Sequence, residues 1–472
     1  MDEDVFWRPA RELRNLFASR ALSPLEFAHA TLMRIDRLNA SYNAFITVNH
    51  EDVIAQARLA EEALSSPSRL GPLHGVPVSL SDTIPTANLR TTFGSAVFND
   101  FIPQDDAVAV ARLRAAGAII LGKTGTSEFA LRRRTGNRLS PETLNPWREG
   151  FTAGGASGGA AASVALGMAP VGIGGDDGGS ITLPAAFCGI YGLSPSAGRV
   201  PNPRATKGRG YIRQLFRNTG PLTRDVGDAA LVTRIMSGYH PSDPTSLRTR
   251  IRSDGKFGSV AGLRALWVTF TDAAANPTVI EHVRTAVDLL RDIRLRITDQ
   301  GTLIDNGIES VDVLMRCHVG RYFRQLAADP VSRAMLTPES QDWAEQCTAQ
   351  PVPLAEEAAA WRARAMITEH YAALFKDHDI LLTPTFGDVA APILAECDAP
   401  VSEGGWAAQS YGVTGIGLPN ASVPCGFVDG LPVGLQIIAQ QGRDDFVFDV
   451  SHAIEQRWPW GKTRPRELTR NN

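Results

Sequence analysis

Lysine is nearly absent from this chain. Of its 472 residues only five are lysines (Lys123, Lys207, Lys256, Lys376 and Lys462), so the other 42 of the 47 cations are arginines. Cysteine is scarce as well. Cys188, Cys317, Cys347, Cys397 and Cys425 are widely spaced, odd in number and form no CxxC pair. That spacing argues against a disulfide framework and against a zinc site. Charge of one sign is lacking too: 47 cations against 50 anions leave −3. Nothing in that balance gives a footprint for nucleic acid or for an anionic membrane. The start, MDEDVFWRPARELR, has no apolar core, so no signal peptide is expected and the cytoplasm is the expected compartment. One uncharged run, 150–175, is long enough to span a bilayer. Nine glycines and a proline within it work against a membrane helix. It reads as a buried glycine loop followed by a short core helix.

What the chain does have is an excess of glycine (43) and proline (30), which points to many tight turns and close backbone approaches, with 43% hydrophobic and 21% charged residues in globular proportions. Residues 8–66 read as helices, the first long one capped by Ser23-Pro24 with Glu26 three positions on. From residue 71 short apolar runs alternate with helical patterns. Strands are predicted at 119–121, in MAPVGIGGDD (168–177) ending in a glycine turn, at 380–384 and at 431–439, with a last helix at 446–457. Residues 240–350 are more polar and read as mostly helical, with 248–257 a surface loop. The fold class expected is α/β: one large domain, 1–472, with a twisted mixed β-sheet core surrounded by helices. Within it, 8–66 is the N-terminal helical part, 71–235 the core, 240–350 a variable helical region and 375–460 the C-terminal part of the core.

The chemistry concentrates in two glycine runs, GGASGG at 154–159 and GGDDGGS at 174–180. Such runs let a backbone approach a ligand and present consecutive N–H groups. A serine closing the second run is placed like a nucleophile beside an oxyanion hole, with the N–H groups of Asp177, Gly178, Gly179 and Ser180 as donors. Neither G-x-x-x-x-G-K-[ST] nor a strand-linked G-x-G-x-x-G occurs, so phosphate binding has no motif here.

Block after block, the chain resembles the amidase signature family of serine hydrolases. GPLHGVPVSL, ILGKTGTSEFA, TLNPW, GGASGGAAASVALG, GGDDGGSITLPAAFCGIYGLSPSAGRV, DILLTPTF and GLPNASVPCGF…GLPVGLQII stand in family order over nearly the whole length. The resemblance implies a Ser–cis-Ser–Lys triad, no metal and no cofactor, a small-molecule substrate and a homodimer as the assembly to expect. The nucleophile falls on Ser180. The bridging serine falls on Ala156 and the lysine on Ser81, so two triad members are missing. Thr182 stands where an arginine is usual, Asp177 where a neutral residue is usual, and Ser194 where a lysine is common. Departures that reach beyond the triad read as divergence rather than as a targeted knock-out.

A serine hydroxyl is a weak nucleophile unless a base takes its proton, and neither Ser81 nor Ala156 can be that base. Asp177 is therefore a candidate replacement base or ligand contact. Thr152, Gly154, Gly155, Ser157, Gly178, Gly179 and His318 are candidate oxyanion- or substrate-binding residues. His318 could also serve as a substitute base, and Ser157 as a substitute bridge. Asp176 and Asp82 read as structural acids that bond loop backbone, His74 as packing a turn, Lys123 as structural and Arg132-Arg133-Arg134 as a solvated face. Two readings follow. One is a repurposed enzyme acting on an amide-, ureido- or carbonyl-bearing small molecule by hydrolysis, acyl transfer, cyclisation or elimination. The other is a catalytically inactive homologue that binds a ligand or serves as a partner subunit.

Overall fold

A computed structural model describes residues 2–203, 217–249, 251–252, 256–269, 275–299, 308–393 and 412–466. Eleven strands form one mixed sheet: β1 (Phe45–Val48), β2 (Pro77–Ser81), β3 (Ile119–Thr124), β4 (Val171–Asp176), β5 (Tyr191–Ser194), β6 (Asn218–Thr223), β7 (Arg264–Trp267), β8 (Arg296–Asp299), β9 (Ile380–Pro384), β10 (Asn420–Val428) and β11 (Leu431–Ala439). Their order is β1-β3-β2-β4-β6-β5-β10-β11-β9-β7-β8. β3, β2 and β4 run parallel, as do β9, β7 and β8, and antiparallel pairs join the two groups.

Local chemistry accounts for the elements. Ser23 accepts from the Glu26 N–H at 3.2 Å and opens the helix Pro24–Tyr42, which Asn43 closes in the left-handed region. That helix buries Leu32, Ile35 and Leu38 at helical spacing. β2, β3, β4, β9 and β11 are buried at every position, as strands covered on both faces must be. One face of the β9–β11 region packs on the helices Pro277–Asp288 and Asp444–Arg457. The other face meets Ile367 and Tyr371 of the helix Leu354–Asp377.

The uncharged run resolves into a loop and the helix Gly158–Ala165, every residue of which is buried. Glycine is required at 159 by close approach: a Cβ there would stand 2.5 Å from the Gly125 nitrogen and 2.6 Å from the Ala44 oxygen. Among the described residues no helix is long and apolar enough to cross a membrane.

Three expectations need correction. The block 8–66 is not all helix, because Phe45–Val48 pairs with β3 as an edge strand. The region 240–350 contains β7 and β8, four residues each, at the opposite edge of the sheet. β8 is largely exposed, so it carries no apolar signature. In the stretch 248–257, residues 250 and 253–255 lie outside the described residues. Ile251 is buried in the core and Arg252 pairs with Asp449, so this stretch is anchored rather than a plain surface loop.

Candidate active site

Parallel strands β3 and β2 end beside each other at Thr124 and Ser81, and β4, which pairs Ile173 with Leu80, runs on to Asp176 at the same end of the sheet. Crevices at the carboxyl ends of such strands are where α/β sheets hold ligands. Ser180 lies four residues beyond the end of β4, in the turn before the helix Thr182–Cys188.

Asp176 shapes that turn. Its Oδ1 accepts from the N–H groups of Gly178 at 3.0 Å, Gly179 at 2.6 Å and Ser180 at 3.0 Å. Its Oδ2 is buried, and the Ser194 hydroxyl acts on it electrostatically without a hydrogen bond of normal geometry. Burial raises its pKa, and the three amides pull it back. This is the loop-bonding role expected of Asp176. The same bonds correct another expectation, since three of the four expected oxyanion donors are already engaged by this carboxylate.

Asp177 is different. The residue is 6% exposed, and neither carboxylate oxygen has a hydrogen-bond partner. Burial raises its pKa to about 7; the charge of Arg217 opposes that rise and Asp176 adds to it. A buried carboxylate without partners is costly, and one poised near neutrality is suited to moving protons.

The Ser180 hydroxyl makes no hydrogen bond among the described residues, so no base is in contact with it. Its backbone is held: the N–H donates to Asp176, and the carbonyl accepts from the Ser157 N–H at 3.1 Å. Ala156 is buried and follows a cis peptide bond from Gly155. Ser81 is buried, and its hydroxyl is 2.9 Å from that of Thr83. Ser157 does not substitute for the missing bridge, because its hydroxyl donates to the Gly175 carbonyl at 3.2 Å. Thr152 donates to Glu142 at 2.5 Å and accepts from the Gly154 N–H at 3.1 Å, thereby holding the entry to the first glycine run. Thr182 is buried, and its hydroxyl makes no hydrogen bond.

His318 and Lys123 lie elsewhere. His318 sits on the helix Ile308–Ala328, 3.6 Å from Glu357 and edge-on to Trp361, and it does not reach Ser180. Lys123 is fully buried and donates to the Ile84 carbonyl and, at 2.9 Å, to the Thr86 hydroxyl. Burial lowers its pKa to about 7. The strand register pairs Lys123 with Leu80 and Thr124 with Ser81, so Lys123 and Ser81 point to opposite faces of the sheet. Asp82 holds loop backbone at Thr92 and Gly94, as expected, and His74 bonds the Ala60 carbonyl of the helix His50–Ala63 at 3.0 Å. The arginine run is not simply solvated, since Arg134 pairs with Glu142 at 2.6 Å with its side chain 23% exposed.

Sequence reading missed Arg217. It lies just ahead of β6, acts electrostatically on Asp177 and has a buried Nη2 with no hydrogen bond. One arginine among 42 gives no signal by itself. The clue was Gly175 beside it in the paired strand, where any side chain would occupy the guanidinium's place.

A family model described as Amidase matches residues 26–448. The chain is similar to an acylamidase from Rhodococcus erythropolis, with 32% identity covering 99% of this chain and 98% of that protein. It is also similar to the A subunit of Glutamyl-tRNA(Gln) amidotransferase from Carboxydothermus hydrogenoformans, with 31% identity covering 98% and 100%. Among solved structures, a bacterial aryl acylamidase of the amidase signature enzymes superposes with a TM-score of 0.86 at 26% identity, covering 96% of this chain and 97% of the other. A 6-aminohexanoate cyclic dimer hydrolase complexed with substrate superposes with a TM-score of 0.88 at 24% identity, covering 98% and 99%, which speaks for the fold.

Proposed function

The chain belongs to the amidase signature family, and from that premise we propose that it is a repurposed enzyme acting on an amide-, ureido- or carbonyl-bearing small molecule, with Ser180 as nucleophile and Asp177 as base. The observation that carries this reading is the buried Asp177 carboxylate, unpartnered and poised near neutrality, three residues before a serine whose hydroxyl makes no hydrogen bond among the described residues. In this scheme the ionised Asp177 takes the Ser180 proton as the oxygen attacks the carbonyl carbon. The protonated acid then delivers that proton to the leaving nitrogen as the C–N bond breaks. Water, activated by the same carboxylate, frees the acyl group; an amine in place of water gives acyl transfer.

A second reading, a ligand-binding or partner subunit without turnover, draws on the engagement of the Gly178, Gly179 and Ser180 amides by Asp176. Oxyanion stabilisation is usually a large part of acyl-transfer catalysis. A homodimer and a cytoplasmic location belong to the proposal as well, and sedimentation of the purified chain tests the first.

Turnover of a panel of aryl and alkyl amides by the unsubstituted protein, Ser180→Ala and Asp177→Asn decides between the readings. The enzyme reading expects kcat/KM to fall about a hundredfold or more in each variant. Equal turnover with and without the Ser180 hydroxyl would sink its role as nucleophile. Tight ligand binding with no product from any amide favours the second reading.

A further inference from the structure

Two charged side chains of opposite sign are left open side by side. The Arg217 guanidinium lies over Gly175, where a Cβ would stand 2.6 Å from Nη2 and 2.7 Å from Nε. Gly175 thus provides the seat for this cation. Nη2 is buried and makes no hydrogen bond, and both oxygens of Asp177 are in the same condition. The two charges act on one another, yet no hydrogen bond joins them. Arg217 as a whole is partly exposed, whereas its Nη2 and both Asp177 oxygens are buried. Buried charged groups are ordinarily paired or hydrogen-bonded, and leaving both open is expensive unless a ligand closes them.

We infer that Arg217 and Asp177 form a recognition pair for a planar carboxamide or ureido group, the guanidinium donating to its carbonyl oxygen and the carboxylate accepting from its N–H. A carboxamide presents an acceptor and a donor on adjacent atoms, which matches one open donor set beside one open acceptor set. A carboxylate ligand would satisfy Arg217 but face Asp177 with a like charge. The pair also answers the engagement of the loop amides: with three N–H groups held by Asp176, Arg217 supplies positive charge for the carbonyl oxygen. Thr182 brings no charge of its own to this end of the sheet. The catalytic use of the pair rests on the proposed function above, whereas binding by the pair does not.

The test uses benzamide and benzoate, a matched pair, titrated by NMR or calorimetry into the full chain carrying Ser180→Ala, so that turnover plays no part. At pH 8 benzamide is expected to bind more tightly than benzoate. Arg217→Gln in that background is expected to weaken benzamide about tenfold or more. Gly175→Ala keeps the charge but places a methyl in the guanidinium's seat, and it weakens benzamide in the same direction. Lowering the pH through 7 protonates Asp177, which faces Asp176 and Arg217, the latter also acting on Lys123, and shifts preference toward benzoate. Benzamide binding unchanged in both Arg217→Gln and Gly175→Ala, or benzoate binding the tighter at pH 8, overturns the pair. Benzamide bound with the expected variant losses, but no turnover by the unsubstituted chain, supports the pair while removing the enzyme reading. Turnover that survives Arg217→Gln with binding unchanged removes the pair alone.

Discussion

The backbone N–H of Ser157 donates to the carbonyl of Ser180 at 3.1 Å, so the two glycine runs are tied to each other at the residue that carries the candidate nucleophile. The Ser157 hydroxyl adds a second tie, to Gly175 at the end of β4. Ser157→Ala keeps the first bond and removes the second. Urea unfolding is expected to show a loss of about 1 kcal/mol, the usual worth of a buried hydrogen bond. An unchanged midpoint would mean that this hydroxyl does not hold the loop.

Asp177 makes stability depend on pH. Burial holds its folded-state pKa at about 7, while an unfolded aspartate titrates near ~3.9. The folded state therefore binds the proton more tightly, and the contribution to stability falls as pH rises from about 4 to about 7, then stays flat. Roughly three units at about 1.4 kcal/mol each give a penalty on the order of 4 kcal/mol above pH 7. Asp177→Asn removes it. The variant should be more stable than its parent at pH 8 and close to it at pH 4, measured by urea unfolding at both values. A difference independent of pH contradicts the buried, unpaired state of this carboxylate.

Placing lysine at 81 and serine at 156, the residues that the family resemblance leads one to expect there, tests how much of the site is intact. Ser81→Lys with Ala156→Ser should raise turnover of an aryl acylamide by about a hundredfold or more, the usual contribution of a positioned base. Either substitution alone should give little, because triad members act as a unit. No gain from the double variant, with circular dichroism unchanged, would locate the defect in the amides that Asp176 engages.

Asp444 opens the helix Asp444–Arg457 and is fully buried against Ser196 and Arg199. It accepts from the Ser196 N–H at 2.8 Å, the Ser196 hydroxyl at 2.7 Å and Arg199 Nη2 at 2.7 Å. Removing one partner of a buried ion pair leaves the other charge uncompensated. Asp444→Ala should therefore cost about 3–5 kcal/mol, read as a lower urea midpoint. A loss below about 1 kcal/mol would show that solvent reaches Arg199 once the acid is gone.

Much of this molecule is legible in its residues. β9 and β11 appear as mainly apolar runs, interrupted by Thr383 and by Gln436, and the Ser23-Pro24 cap shows where a helix starts. Asp176 was readable as a backbone-bonding acid through the family position it matches, where a short acid bonds loop amides. The edge strands were not legible: Phe45–Val48 is four residues between two helices, and Arg296–Asp299 has no buried stripe to mark it. Nor was the set of open charges, since Arg217 meets Asp177 only through the antiparallel pairing of β4 with β6. That pairing joins positions far apart in the chain, which no local pattern records.

The threefold grip of Asp176 separates the shape of the turn from its chemistry. An acid outside the proposed chemistry fixes the loop, so the form of the turn is set independently of what stands at positions 81 and 156.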